Sequence, residues 1–317
     1  MNKLGQPLVT FILFAYNQER FIKEAVEAAL GQSYGNLEII ISDDCSTDST
    51  FEIINSITSG YSGPHTLRVY KNSDNLGVAK HFSRAVAAAR GELIVVAAGD
   101  DISCSTRVSK TVELFIDNPE ATIVSFSAQL IDKHGKGFQN NHEGRPTRIT
   151  KVALDDFLRF RSPPISGASR GFRKKAFDFF GELDVACPTE DSPFLLRGLI
   201  MGHALLSSDC EIQYRRHDSN LSKPSSLHRM NFKEIERQYI KDSQLAKNCG
   251  LISEDIFAKI KNFAERDHRR RRLHKDFYIA NNKIIFFLGN IFLSSEVRFG
   301  QKVLMLLEAI VSRRKEK

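Results

Sequence analysis

Three acidic pairs and one histidine supply the side chains in this chain that could do chemistry. Asp100 and Asp101 close the stretch Gly91 to Asp101, GELIVVAAGDD. Val95, Val96, Ala97 and Ala98 run without a polar break, which predicts a strand buried on both faces of a parallel sheet. Ligands of open α/β sheets bind outside the carboxyl ends of the strands. Adjacent carboxylates repel, so such a pair suits a place where a cation neutralises it. The same residues also suit a turn and the cap of a helix beginning near Ser105. Asp43 and Asp44, in ISDDCSTDST, stand at the end of a second apolar run. A carboxylate there can accept from the imide N–H of a uracil ring or from ribose hydroxyls, or it can serve the local turn alone. Glu190 and Asp191, in TEDSP, are favourable charges for the start of a helix. His217 follows a basic pair in YRRHDSNLS.

These residues need elements to position them. Leu8–Phe14, Leu37–Ile41, Leu67–Tyr70, Glu92–Ala98 and Thr122–Ser127 read as strands. Between them, Phe21–Leu30, Asp48–Ile57, Val78–Arg90 and Ser105–Asp117 carry helical spacing, with Thr47 or Asp48 as a cap and Gly31 as a stop. Such alternation predicts βαβ units and a mainly parallel sheet flanked by helices. Lys133–Pro146 is polar and Gly-rich, as in a loop. Asp155–Arg161 and Arg173–Phe180 read as short helices around the turn-rich SPPISGAS, and Pro188–Met201 as a longer one. From about His228 onward the whole chain reads as helix. The expected division is a catalytic α/β unit over residues 1–222 and a basic helical appendage over 223–317.

The 317 residues are 42% hydrophobic, an ordinary globular composition. The net charge of +7 is uneven. Residues 1–222 hold 24 Lys and Arg against 27 Asp and Glu, whereas residues 223–317 hold 21 against 11. A basic final third points to an anionic partner, lipid or nucleic acid. Five scattered cysteines without a C-x-x-C pair suggest neither a zinc site nor a disulfide framework. With no apolar leader or spanning run, the expected setting is cytoplasmic.

The succession of motifs resembles the inverting nucleotide-sugar glycosyltransferases of family 2, which have the GT-A fold. Tyr16 and Asn17 match the family's Y-N pair after the first strand. Gln32, Ser33 and Tyr34 match its Q-x-Y segment. Asp43, Asp44, Ser46, Asp48 and Thr50 match D-D-x-S-x-D-x-T, and Asn75 and Gly77 match N-x-G. Gly91, Glu92 and Ile94 match the G-E-x-I strand that leads to the metal motif. The family's D-x-D-D stands here as Ala98-Gly99-Asp100-Asp101, so its first acidic position is an alanine. Tyr214, Arg215, His217, Asn220 and Ser222 match Y-R-x-H-x-x-N-x-S.

The resemblance implies metal-dependent inverting transfer of a sugar from a nucleoside-diphosphate donor, most readily a UDP-sugar. The acceptor would be a saccharide or lipid-linked saccharide in cell-surface polysaccharide or lipopolysaccharide synthesis. It implies nucleotide binding by Tyr16, Asn17, Asp44, Asn75, Gly77 and Asp100. Asp101 and His217 would hold Mn²⁺ or Mg²⁺. Arg215 and Arg216 would balance phosphate charge. Asp191, with Glu190 as the alternative, would be the base an inverting transfer needs. Gly167, in a small-residue segment lining the sugar pocket, would allow close backbone approach or simply make a turn.

A sugar nucleotidylyltransferase would need a Gly-rich basic loop after the first strand, where this chain has Ala15-Tyr16-Asn17-Gln18-Glu19. A nucleic-acid binder would interleave aromatics with the Arg269–Arg272 cluster, and here they sit in separate apolar runs. A non-catalytic membrane-binding protein, or an inactive relative that only binds sugar nucleotide, is the further alternative. Residues 266–317 join basic ends to apolar helical stripes. That pattern suits either peripheral docking on the anionic inner face of the plasma membrane, oligomerisation, or packing within the fold.

Overall fold

The computed structural model describes residues 6–137, 146–160, 165–218, 220, 229–292, 294, 297 and 299–315. Several expected features fall wholly or partly elsewhere. Residues 138–145 of the polar loop, Arg161 to Pro164, Ser222 and the expected boundary at residue 222 lie outside the described residues.

The apolar runs of the first hundred residues become four parallel strands. They are β1 (Val9–Ala15), β2 (Leu37–Asp43), β3 (Thr66–Lys71) and β4 (Leu93–Ala98), in the order β3-β2-β1-β4. Side chains alternate across the sheet. Phe11 and Leu13 enter one core while Ile12, between them, enters the other. Helices α1 (Ile22–Leu30), α2 (Thr50–Thr58) and α4 (Arg107–Asp117) cover one face through Val26, Ile54 and Phe115. On the opposite face lies α3 (Val78–Ala88), through Phe82 and Val86. The second helix begins at Thr50, later than its sequence suggests, because Asp48 accepts from the Thr50 N–H (3.0 Å) and holds the preceding turn out of the helix.

Beyond β4 the sheet becomes mixed. The remaining strands are β5 (Ile102–Ser103), β6 (Ala121–Ile131), β7 (Ile149–Val152), β8 (Arg170–Arg173) and β9 (His203–Arg215). β8 is antiparallel to both β4 and β6, β6 runs parallel to β9, and β5 and β7 pair antiparallel with β9. The mainly parallel character expected of the sheet thus holds through its first half and the β6–β9 pair, with β5, β7 and β8 antiparallel. Sequence periodicity missed β9, since its apolar run is broken by Ser207, Ser208 and Asp209 and its pairing with β6 shifts register at Ser127.

Helices α5 (Leu154–Leu158), α6 (Lys175–Phe180) and α7 (Asp191–Met201) complete this region. The last begins three residues after Pro188, with Pro193 accommodated in its first turn.

The expected appendage splits in two. Helices α8 (Phe232–Asn248) and α9 (Glu254–Ile279) pack on α7, and their Tyr239, Ile260 and Phe263 belong to the same core as Phe194 and Phe172. Arg197 on α7 and Asp242 on α8 form a buried two-pronged pair, at 2.7 and 2.9 Å. By contrast α10 (Lys283–Phe286), a π turn (Phe287–Ile291) and α11 (Phe299–Lys315) gather around a small core of their own with Phe277.

Asp242→Ala strands a guanidinium that is 0% exposed. Such a change should cost about 3–5 kcal/mol. A urea titration checks this, with the midpoint falling and the slope unchanged.

Candidate active site

Strand register brings the first motifs together. Ala15 lies opposite Asp43 and Phe14 opposite Ala98, so β1, β2 and β4 end at one level. The loops after β1 and β2 are laced to each other. Asn17 donates its N–H to Ser46 Oγ (2.9 Å), and the Thr47 N–H donates back to Asn17 Oδ1 (2.9 Å). Gln18 N–H donates to Thr50 Oγ1 (2.7 Å), and Asp43 accepts from the Ser46 N–H (2.9 Å). Asn17 and Cys45 take left-handed backbone angles (φ 52° and 63°) to make these turns. Much of the D-D-x-S-x-D-x-T motif therefore shapes the loop. Tyr16 is left half-exposed at its edge.

Asp44 is buried and committed. It accepts from Asn72 Nδ2 (2.8 Å) and from the N–H groups of Leu76 (2.9 Å) and Gly77 (3.0 Å). Gly77 has φ 73°, and its N–H is shared with Asn75 Oδ1. The expected base-reading carboxylate thus organises the Asn72–Gly77 loop, which in turn borders the end of β2.

The Asp100–Asp101 pair divides. Asp101 turns inward, 3% exposed, and accepts from the Arg215 N–H (2.9 Å). Burial, then the charge of Asp100, pushes its carboxyl up to about 8. Asp100 faces His217 instead, with Oδ2 2.8 Å from Nε2. Of the two carboxylates, the one in contact with His217 is Asp100, whereas the metal expectation named Asp101. Asn220 accepts from the His217 N–H (2.7 Å) and donates to the Arg215 carbonyl (3.0 Å), fixing that turn. β5 pairing with β9 delivers this segment to the end of β4.

Arg215, expected to meet phosphate, has a different job. It is buried, ion-paired to Glu24, donates to the Asp100 carbonyl (2.9 Å) and lies over Phe21 at 5.0 Å. It locks α1 to the acidic turn. Arg216 beside it is exposed. His217 packs on the same Phe21 ring, 4.7 Å between centroids.

The Glu190–Asp191 pair sits at the start of α7. Arg170 Nη1 donates to the Asp191 carbonyl (2.7 Å) and lies 4.0 Å from its carboxylate. The Asp191 side chain is 46% exposed. Burial, then the Asp191 charge, pushes the Glu190 carboxyl well above the usual range. Gly167 explains the small-residue segment, since a Cβ built there would lie 1.6 Å from Asp191 Oδ1. A pocket lined by Phe82, Val96, Gly167, Arg170, Phe172, Glu190, Asp191 and Phe194 joins this corner to β4. Arg107, fully buried, ties the two halves by donating to the carbonyls of Val96 (2.6 Å) and Ala168 (2.9 Å).

Arg107, Arg170, Glu24 and Ser192 escaped sequence reading. Each is an ordinary surface type whose importance comes from a distant partner. The basic cluster also folds inward in part. Arg270 and Arg271 pair with Asp267 (2.6 Å each), and Arg271 Nη2 donates to Ser192 Oγ (2.9 Å), next to Asp191.

Residues 10–180 match the family model for Glycosyl transferase family 2. The chain belongs to this family. It is 36% identical over 126 residues to the UDP-Glc:alpha-D-GlcNAc-diphosphoundecaprenol beta-1,3-glucosyltransferase WfaP of Escherichia coli, covering 40% of this chain and 47% of WfaP. The chain spans less than half the length of the curated relatives it matches. Its fold matches S. aureus TarS 1–349 in complex with UDP-GlcNAc, with TM-score 0.59 and 17% identity over 96% of this chain and 80% of TarS 1–349. It also matches the mannosyltransferase PcManGT from Pyrobaculum calidifontis in complex with GDP-Man and Mn²⁺, with TM-score 0.56 and 15% identity over 98% and 88% of the two chains. These likenesses show the GT-A fold of this family member.

Asp100 and His217 fit a hard divalent cation by their donor types, a carboxylate oxygen beside an imidazole nitrogen. Among the described residues no group of three or more His, Cys, Asp or Glu side chains could hold a metal. A cation of the Mg²⁺ kind commonly takes one or two carboxylates and completes its shell with substrate phosphates and water.

Gly167→Ala should displace the Asp191 carboxylate while leaving the thermal melt close to wild type. With Asp191 as the expected base, a displacement of that order should lower turnover about 100-fold. Steady-state sugar-transfer rates measured beside the melting curve check it.

Proposed function

We propose that this chain is an inverting, divalent-cation-dependent glycosyltransferase. It would move a sugar from a nucleoside diphosphate, most readily UDP, to a saccharide or lipid-linked saccharide acceptor in cell-surface polysaccharide synthesis. One observation carries this reading. The Asp100–His217 pair ends β4, and the half-exposed Asp191 carboxylate faces a pocket to which Val96 of the same strand contributes. Donor phosphates and an acceptor hydroxyl can thus meet at the end of one strand.

In this reading Asp191 takes the proton from the acceptor hydroxyl as its oxygen attacks the anomeric carbon. Arg170 holds the start of α7, and Gly167 leaves room for the carboxylate. Tyr16, Asn17, Asn75 and Gly77 border the nucleoside, with Asp44 holding the loop of the last two. Asp100 and His217 would hold Mn²⁺ or Mg²⁺, which neutralises charge on the departing diphosphate when bound. Asp101 and Arg215 position that pair from behind, and the exposed Arg216 is the residue left to meet phosphate. The uridine assignment draws support from WfaP, named for UDP-Glc, and from TarS, seen with UDP-GlcNAc. GDP, as seen in PcManGT, is the competing nucleotide. The five free cysteines accord with a cytoplasmic setting for this reaction.

Thermal-shift measurements with UDP-Glc, UDP-GlcNAc and GDP-Man, each with and without Mn²⁺, test the donor. A UDP-sugar should raise the melting temperature only when the cation is present. No response to any nucleotide sugar under either condition would sink the proposal.

Asp191→Asn should keep donor binding and lose at least about 100-fold in turnover. The pH profile tests the pair. Burial, then the Asp191 charge, keeps the proton on Glu190 above the ordinary carboxylate range, so its loss sets a second negative charge beside the base and kcat/KM should rise with pH there. Glu190→Gln removes the titrating group and should abolish that limb.

A further inference from the structure

The C-terminal helices present an apolar face to solvent. In α11, Met305 and Ala309 point into the small core with Phe287 and Ile291. The opposite side of that helix carries Val303, Leu304, Leu307 and Ile310 at i, i+1, i+4 and i+7. Along α10 and the π turn, Ile285, Leu288 and Phe292 recur at i, i+3 and i+7. Ile285, Leu288, Phe292, Leu304 and Leu307 are each between 54% and 69% exposed. Both segments pack on the same small core and turn these side chains outward from it. A cluster of this many large apolar side chains marks a docking site.

Charge identifies the occupant. Residues 280–317 hold seven Lys and Arg against three Asp and Glu. Lys302, at the start of α11, donates its Nζ to the Phe292 carbonyl (2.9 Å) at the end of the π turn. A second copy seated symmetrically on this face would set like charges against each other. An anionic leaflet offers negative headgroups above an apolar layer, matching both properties. No helix among the described residues is long and apolar enough to cross a membrane. Within residues 266–317, the stretch expected to dock, Arg270 and Arg271 are committed inward to Asp267, so the apolar surface lies beyond them in the chain.

We propose that the outward face of α10, the π turn and α11 inserts into the surface of an anionic lipid leaflet. The inference stands apart from the catalytic reading, because none of these residues touches the site.

The chain has no tryptophan, so Leu304→Trp places a single reporter on the face. Full-length protein carrying it should show a blue-shifted emission with phosphatidylcholine–phosphatidylglycerol vesicles and none with phosphatidylcholine alone. Wild-type protein should float with the first vesicles only, and added salt should weaken the association. Replacing Leu288, Leu304 and Leu307 together by Gln should reduce flotation about tenfold or more while leaving the melt unchanged, since the side chains are exposed. Absence of both blue shift and flotation would overturn the proposal, as would equal binding to neutral vesicles. A dimer in sedimentation velocity, lost in the triple variant and accompanied by no vesicle binding, would assign the face to a second copy instead.

Discussion

Two neighbouring carboxylates at the end of a buried strand cannot share one low-dielectric environment. The molecule resolves this by sending Asp101 into the interior and Asp100 toward His217. Burial alone would make an ionised Asp101 costly, and the Arg215 N–H together with the nearby Arg107 and Arg215 charges offsets only part of that cost. The rest of the site follows from this division. β9 must return beside β5 to present Arg215, Phe21 must lie under both Arg215 and His217, and Glu24 must meet the guanidinium. One acidic side chain, Asp100, is thereby left beside the His217 imidazole at the end of the strand.

A second constraint operates at α7. Its first turn carries the candidate base, and three separate parts of the chain fix it. Arg170 holds the backbone from β8, Gly167 withdraws to make space, and Arg271 reaches Ser192 from α9. The Arg197–Asp242 pair then binds the same helix to α8. The helices after residue 228 accordingly divide by task. α8 and α9 brace the site, whereas α10 and α11 stand apart and turn an apolar side outward.

The first half of the sheet could be read from the chain because parallel, doubly covered strands show as unbroken apolar runs such as Phe11–Leu13 and Leu93–Ala97. The antiparallel half was hidden. β9 mixes serines and an aspartate into its length, β5 has two residues, and β8 has four, the last of them read as the start of a helix. Their pairing depends on strands distant in the chain, as Ile102 of β5 with Gln213 of β9, which no local pattern encodes. In the loop motifs, the hydrogen bonds show Asp43, Asp48 and Asn17 building the turn itself.

By itself the sequence determined the βαβ frame, the acidic strand ends, the placement of Glu190 and Asp191 at a helix start, and the basic excess of the last third. Each of these follows from local composition and period. Tertiary structure alone decided which carboxylate meets His217, that Arg215 braces α1, why residue 167 has no side chain, and which part of the basic tail faces inward. Those outcomes depend on burial and on partners from distant segments, and a charge acquires its role only when folding fixes its neighbours and removes its water.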